Sequence, residues 1–361
     1  MKYQNMMLPF VTALLGLSTL TSGFAYADDA SQGSASHQTN PLIESQSSTG
    51  IRSRIDPALT APLSMLPPQL SDITRDSVDE VRELMAPMLK AKGVAGVTVT
   101  KRQIETKDGK VNIYIYQPDG ILSTAKSGLF WIHGGGFIFG SAETDFAGMF
   151  AKAVNATVVS VEYRLAPEHP FPAGHNDSYA AFLWMVSHAK ELGVDPQRIA
   201  IGGESAGAGM AASLALRNRD EHGPKIALQL LLYPMLDNLH ATPSGSVEDY
   251  PVWNRQTSFN AWEMYLNGTP GEDASPYAAA ARAKDVTGLP KTYITVGTVD
   301  LFRDEVIDYA QRLMDAGVST ELAVFPGVYH GGQMFVPDAS VSKQMSKSYI
   351  NALQNALNDA R

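Results

Sequence analysis

Cysteine is absent from the 361 residues. Disulfides, thiolate metal sites, iron–sulfur clusters and a thiol nucleophile are therefore excluded, and the redox compartment leaves no trace in the composition. Basic charge is scarce as well. The chain carries 28 Lys and Arg against 37 Asp and Glu, a net charge of −9, and nowhere gathers five like charges in a row. Phosphate backbones are held by clustered Lys and Arg, so nucleic acid is not an expected partner. Long apolar runs are rare, and after the first twenty residues none could span a bilayer. With 44% hydrophobic and 18% charged residues, the remainder has ordinary globular composition, enough for one large domain or two average ones.

The start of the chain has a different character. Lys2 precedes an apolar stretch from Met6 to Leu20, and Ala25-Tyr26-Ala27 offers small residues at the two positions a signal peptidase reads. This is the pattern of a secretory signal cut after Ala27, with an apolar core shorter than the roughly 20 residues of a membrane span. No cysteine follows to carry a lipid, so no stable membrane anchor is expected. The expected location is the periplasm or the exterior. Residues 28–50, rich in Ser, Gln, Thr and Asn, bury too little apolar surface to offset their ordering entropy and read as a flexible leader.

Beyond this point the hydrophobic period organises the chain. Ser71–Lys92 reads as a helix with Ser71 as its N-cap. Two β-rich runs flanking Lys107-Asp108-Gly109-Lys110 read as a hairpin. Short apolar runs then alternate with helical stretches five times: Leu129–His133, Thr157–Tyr163, Arg198–Gly203, Leu228–Tyr233 and Thr292–Gly297, followed by a last run, Glu321–Phe325. Strand followed by helix, repeated, predicts an α/β fold with a mostly parallel sheet flanked by helices. The rhythm breaks between Tyr233 and Lys291, a stretch holding Trp253, Phe259, Trp262 and Tyr265, and an interruption of that length reads as a lid or an inserted subdomain. Two N-x-T tripeptides, at Asn155 and Asn267, are too short a pattern to carry weight.

Gly203-Glu204-Ser205-Ala206-Gly207 is a G-x-S-x-G between a predicted strand and an Ala/Gly-rich helix. One such pattern arises by chance roughly 0.2 times in a chain of this composition, so its setting matters more than its letters. A serine on a tight strand-to-helix turn projects its hydroxyl above the sheet edge, and the helix N-terminus favours an anion there. His133-Gly134-Gly135-Gly136 is far rarer by chance and ends another predicted strand. Its glycines can face main-chain N–H groups toward an anion, and Gly135, Gly136 and Ala206 are candidate donors to an oxyanion.

A serine needs a base. Of eight histidines, His330 has the right context, in a loop after the last strand and before Gly331-Gly332. The base needs a carboxylate, and Asp300, directly after the Thr292–Gly297 run, is the candidate, with Asp237 as runner-up. Asp304 and Glu305 read as solvated helix-start charges. The order Ser205, Asp300, His330 is that of α/β-hydrolases and differs from both common serine-protease orders.

With these pieces, the chain resembles the bacterial hormone-sensitive-lipase-like (family IV) carboxylesterases of the α/β-hydrolase fold. The matching residues are the His133–Gly136 loop, Tyr163-Arg-Leu-Ala-Pro-Glu-His-Pro-Phe-Pro-Ala173, the Gly203–Gly207 turn, Ser275-Pro-Tyr-Ala278, Asp300 with Arg303-Asp-Glu305, and His330-Gly331. The resemblance implies Ser205 as nucleophile, His330 as base and Asp300 as its partner, with Gly135, Gly136 and Ala206 as oxyanion donors. It implies a catalytic domain over 93–235 and 291–361, and a helical cap from 51–92 and the insertion 236–290. It further implies a small-molecule ester substrate of short to medium acyl length. No metal or organic cofactor is needed. Glu204 stands where the family commonly has Asp, and Gly332 where a larger residue is common. Glu204, preceding Ser205, is expected to support that loop, Gly332 to loosen the His330 loop, and Arg164 and Glu168 to pair with each other. The cap aromatics either line a pocket or form the cap's own core. The rival readings are a non-catalytic ligand-binding homologue and a hydrolase of an amide, a lactone or an acetylated carbohydrate. Oligomeric state has no sequence signal.

If the signal is read as described, the exported protein begins at Asp28. Intact-mass or N-terminal sequencing of the secreted form checks this, and retention of Met1–Ala27 on exported protein would count against it.

Overall fold

The computed structural model describes residues 48–120 and 126–359. The signal segment and the leader up to residue 47 lie outside the described residues. The last leader residues already open a short helix, α1 (Ser48–Arg52). The predicted helix over Ser71–Lys92 begins later: α2 spans Val78–Leu89, and Ser71 instead closes a 3-10 turn, Pro68–Ser71. The cause is local. The Ser77 hydroxyl accepts from the Thr74 amide at 2.9 Å, which holds the chain in a turn before α2 can start.

The predicted hairpin forms from β1 (Val97–Thr106) and β2 (Gly109–Pro118). Six strands follow: β3 (Lys126–Ile132), β4 (Thr157–Glu162), β5 (Val194–Glu204), β6 (Gln229–Leu232), β7 (Thr292–Val299) and β8 (Thr320–Tyr329). They lie in one sheet in the order β1-β2-β4-β3-β5-β6-β7-β8. The β1/β2 and β2/β4 pairs are antiparallel, and every pair from β4 to β8 is parallel. The connecting helices are α3 (Asp145–Val154), α4 (Ala173–Ser187), α5 (Ala206–Asp220), α6 (Arg255–Leu266), α7 (Arg303–Asp315), α8 (Gly332–Phe335) and α9 (Ser340–Asp359).

Strand alternation sorts the core into two layers. Phe130 meets Phe182 of α4 at 5.8 Å between ring centres, whereas its neighbour Trp131 meets Phe150 of α3 at 4.9 Å. Successive residues thus serve opposite faces of the sheet, and both faces are covered, which is why the central strands read as unbroken apolar runs.

The two segments assigned to a cap touch each other. Asn254, the N-cap of α6, donates from Nδ2 to the Ser71 carbonyl at 2.7 Å, and Thr257 Oγ1 donates to the Leu70 carbonyl at 3.0 Å. Arg82 of α2 fastens this layer to the body. Its guanidinium donates to the carbonyls of Ile138 and Ala166 and forks onto Glu168 at 2.7 and 2.8 Å. Glu168 is therefore held by Arg82, not by Arg164, and its carboxyl is pushed down to about 2, chiefly by that hydrogen bond. Arg164 pairs with buried Asp177 instead. The expected Arg164–Glu168 pair does not form, because in the turn they share Arg164 faces α4 and Glu168 faces α2.

The geometry that positions the site is a close backbone crossing. The first turn of α5 runs against the end of β3 so tightly that a Cβ on Gly207 would stand 2.1 Å from the Ile132 carbonyl oxygen. The contact is with main chain, so no rotamer change relieves it. Gly207→Ala is therefore expected to lower stability by about 1–3 kcal/mol or more through displacement of α5, read as a drop of several degrees in Tm. An unchanged Tm would mean the crossing is looser than described.

Candidate active site

Ser205 is the residue between β5 and α5. It has φ +54° and ψ −122°, a conformation that L side chains rarely adopt. It is fixed from both sides: the Ser205 amide donates to the Leu232 carbonyl at 2.9 Å, and the Ser205 carbonyl accepts from Met235 at 3.1 Å and Gly209 at 3.0 Å. The strain is thus over-determined by the end of β6 and the start of α5.

The three side chains singled out in the sequence come together. His330, one residue past β8, places Nε2 2.8 Å from the Ser205 hydroxyl. Its Nδ1 lies 3.0 and 3.2 Å from the two carboxylate oxygens of Asp300, one residue past β7. Asp300 is completely buried and also accepts from the Phe302 amide at 3.0 Å. A carboxylate on Nδ1 fixes the tautomer that leaves Nε2 free to take the serine proton. The runner-up Asp237 has other partners: it accepts from Arg282 at 2.7 Å and from the Leu239 amide at 3.0 Å.

The glycine loop lies against this group. A Cβ on Gly134 would stand 3.2 Å from that of Ser205, and one on Gly135 would sit 2.0 Å from the Phe139 carbonyl oxygen. Gly135 has φ +101°, and its carbonyl accepts from Ile138 and Phe139, each at 3.0 Å. This tight turn requires glycine and fixes the direction of its peptides. Among the described residues, none accepts from the amides of Gly135, Gly136 or Ala206.

Glu204 carries the loop, as expected, and does so in an unexpected state. Its Oε1 accepts the Gly134 amide at 2.9 Å. Burial pushes this carboxyl up to about 8, outweighing the Gly134 amide, which favours the ionised form. Burial thus favours the neutral acid at the residue before Ser205. His133, behind the loop, stacks on Tyr163 at 4.3 Å, and burial lowers its basicity. Two other readings need correction. Glu305 is not a solvated helix-start charge: it is buried, accepts the amides of Leu236 at 2.7 Å and Asp237 at 3.1 Å, and burial holds its carboxyl well above the usual range. Asp304 is partly covered and caps Ser244 at 2.7 Å. Gly332 does not loosen the His330 loop by leaving a gap, because the Tyr329 ring lies 3.3 Å from where its Cβ would be.

A cavity of about 180 Å³ opens beside Ser205 and His330, with an apolar wall that includes Leu70, Met85, Met88, Phe139, Trp253 and Phe335. Of the four cap aromatics, only Trp253 lines it. Trp262 and Tyr265 are buried against Phe137 of the segment after β3, at 5.3 and 4.0 Å, in a core shared by the insertion and the body, and Phe259 is half-buried away from the cavity. The ring contacts on His330 leave no signal in the sequence. Tyr233 and Phe302 each stand nearly perpendicular to the His330 ring, at 5.1 Å. Tyr233 ends a predicted strand before a proline and Phe302 follows Asp300, but only the fold turns them toward one imidazole. No described helix is long and apolar enough to cross a membrane.

A sequence profile described as alpha/beta hydrolase fold matches residues 129–334. Carboxylesterase NlhH of Mycobacterium tuberculosis is 39% identical over 237 residues, 63% of this chain and 73% of the relative. Esterase LipI of the same species is 35% identical over 286 residues, covering 77% and 87%. Among solved structures, a bacterial heroin esterase superposes with a TM-score of 0.79 at 40% identity, covering 84% of this chain and 98% of the other.

The state of Glu204 makes stability depend on pH. Its folded value, about 8, lies above the ordinary carboxyl value of ~4.3. Its contribution is complete below the ordinary value, falls as pH rises from there to about 8, and is then constant. Glu204→Gln keeps an acceptor for Gly134 and removes the titration. Relative to the native protein, the variant is expected to gain on the order of 3–5 kcal/mol between pH 4 and pH 8. Paired Tm measurements across that range check it, and parallel curves would refute it.

Proposed function

The chain belongs to the alpha/beta hydrolase fold family, and on that footing we propose a serine carboxylesterase that cleaves short- to medium-chain esters through an acyl-enzyme on Ser205. It is a carboxylic ester hydrolase of the hormone-sensitive-lipase-like type, in keeping with its carboxylesterase and esterase relatives. The roles of individual residues and the chain length follow from the site. The observation that carries them is the unbroken contact Asp300–His330–Ser205, at 3.0 and 2.8 Å, beside three unclaimed main-chain amides.

Nε2 of His330 takes the Ser205 proton as Oγ bonds to the ester carbonyl carbon, and the carbonyl electron pair moves onto oxygen. The amides of Gly135, Gly136 and Ala206 receive that oxyanion at the head of α5, and each such donor contributes about 2.7–4 kcal/mol to lowering the barrier. Asp300 stabilises the imidazolium. The oxyanion then collapses, the carbon–alkoxy bond breaks, and His330 returns the proton to the departing alcohol. Water repeats the sequence on the acyl-enzyme, with His330 taking a proton from water, and releases the carboxylic acid and free Ser205.

The cavity supports the substrate class. No Lys, Arg or Asp is among its described lining residues, and burial favours the neutral acid at Glu204. An apolar, uncharged wall favours an ester without charge on the arm it encloses. A hollow of ~150 Å³ holds a six-carbon ring, so about 180 Å³ suits an arm of similar size. The N-terminal pattern adds export as part of the proposal.

Ser205→Ala is expected to reduce turnover of p-nitrophenyl butyrate by more than about 1,000-fold with little change in Tm, and to abolish labelling by a fluorophosphonate. Undiminished turnover would remove Ser205 from the mechanism, and a rate maximum at very long acyl chains would overturn the substrate class.

A further inference from the structure

Tyr233 stands where three constraints meet. It is the first residue beyond β6, and its φ of +39° puts a bulky side chain in the left-handed region, which costs on the order of 1–3 kcal/mol and persists only where surroundings impose it. Its main chain belongs to the nucleophile's support. The amide of Tyr233 donates to the Thr295 carbonyl at 2.7 Å, while its neighbours Leu232 and Met235 bind the Ser205 amide and carbonyl. Its side chain belongs to the base's support. The ring is perpendicular to His330 at 5.1 Å. The phenol oxygen accepts from Gln333 Nε2 at 3.1 Å and donates to the sulfur of Met334 at 3.2 Å. Gln333 and Met334 lie in α8, directly after the His330-Gly331 turn, and both Tyr233 and Gln333 are 2% exposed.

One residue therefore spans the two loops whose separation is the Ser205–His330 distance. Gly331, between the base and α8, has φ +67°, and its carbonyl accepts from the Met334 amide at 2.9 Å, so a movement of α8 is passed directly to the turn that carries His330. We propose that Tyr233 is a positioning residue for His330, acting through a Tyr233–Gln333 tether that holds the base's loop at hydrogen-bond distance from the nucleophile. The tether itself moves no proton. It limits the excursions of a ring that must stay aligned while it gains and loses one. The strained backbone is the means by which the phenol reaches α8 while the peptides on either side keep hold of Ser205.

This inference rests on the serine-hydrolase reading, so its test reads serine reactivity separately from ester turnover. Tyr233→Phe keeps the ring and deletes the tether. Gln333→Leu deletes it from the other side. For each, the rate of Ser205 labelling by a fluorophosphonate is measured, with kcat and KM for p-nitrophenyl butyrate and the Tm. Each variant is expected to label about tenfold more slowly and to lose kcat by a similar factor, with KM within about twofold. The double variant is expected to be no worse than either single, because both remove one interaction. Labelling at the native rate in Tyr233→Phe, or losses that multiply in the double variant, would overturn the tether. If the native protein labels but cleaves no ester, the carboxylesterase reading fails while the labelling comparison still decides the tether.

Discussion

The site depends on a contact between backbones: the first turn of α5 pressed against the end of β3. Because Gly207 and Gly203 carry no side chain, the helix can begin directly above the Ile132 carbonyl, and the chain must turn sharply at the residue between β5 and α5. That residue is Ser205, and the sharpness of the turn is its positive φ. The same crossing brings the Gly134–Gly136 loop, which continues β3, against the serine. The serine turn and the glycine loop are therefore two consequences of one packing event, and neither can be adjusted without the other.

Much of this was legible because it is written in short-range patterns. The strands were visible as apolar runs, and parallel β/α alternation places the ends of β5, β7 and β8 on one edge of the sheet, which is where Ser205, Asp300 and His330 meet. Asn155 and Asn267, set aside as chance tripeptides, have a plain structural use: each ends a helix in the left-handed conformation that asparagine tolerates. Partners chosen by long-range geometry were not legible. Arg164 and Glu168 share a turn yet bind Asp177 and Arg82, on different helices. Glu305 looks like an ordinary first-turn acid, and nothing nearby in sequence announces that the insertion after β6 folds over it and supplies two amides. Ser71 has the chemistry of an N-cap, but a competing turn between Thr74 and Ser77 delays the helix.

The interior treats ionisable groups consistently. Glu204 and Glu305 are held toward the neutral acid, and His175 and His240 toward the neutral base, down to about 3 and about 4, with burial the leading cause throughout. Two of these acids are used as acceptors for main-chain amides in places that water does not reach. A neutral carboxyl does this without the large desolvation cost of an ion. At His330 the completely buried Asp300 lies at hydrogen-bond distance, where the proposed reaction moves a proton.

The uncharged wall of the cavity has a consequence for the surrounding medium. Dissolved ions attenuate fields that pass through solvent, over a Debye length of ~10 Å at 0.1 M, and act far less on groups sealed within protein. In the proposed reaction the charges that change are enclosed with Ser205 and His330, both less than a tenth exposed. With no Lys, Arg or Asp among its described lining residues, the cavity leaves dissolved ions little to screen between the site and a neutral ester.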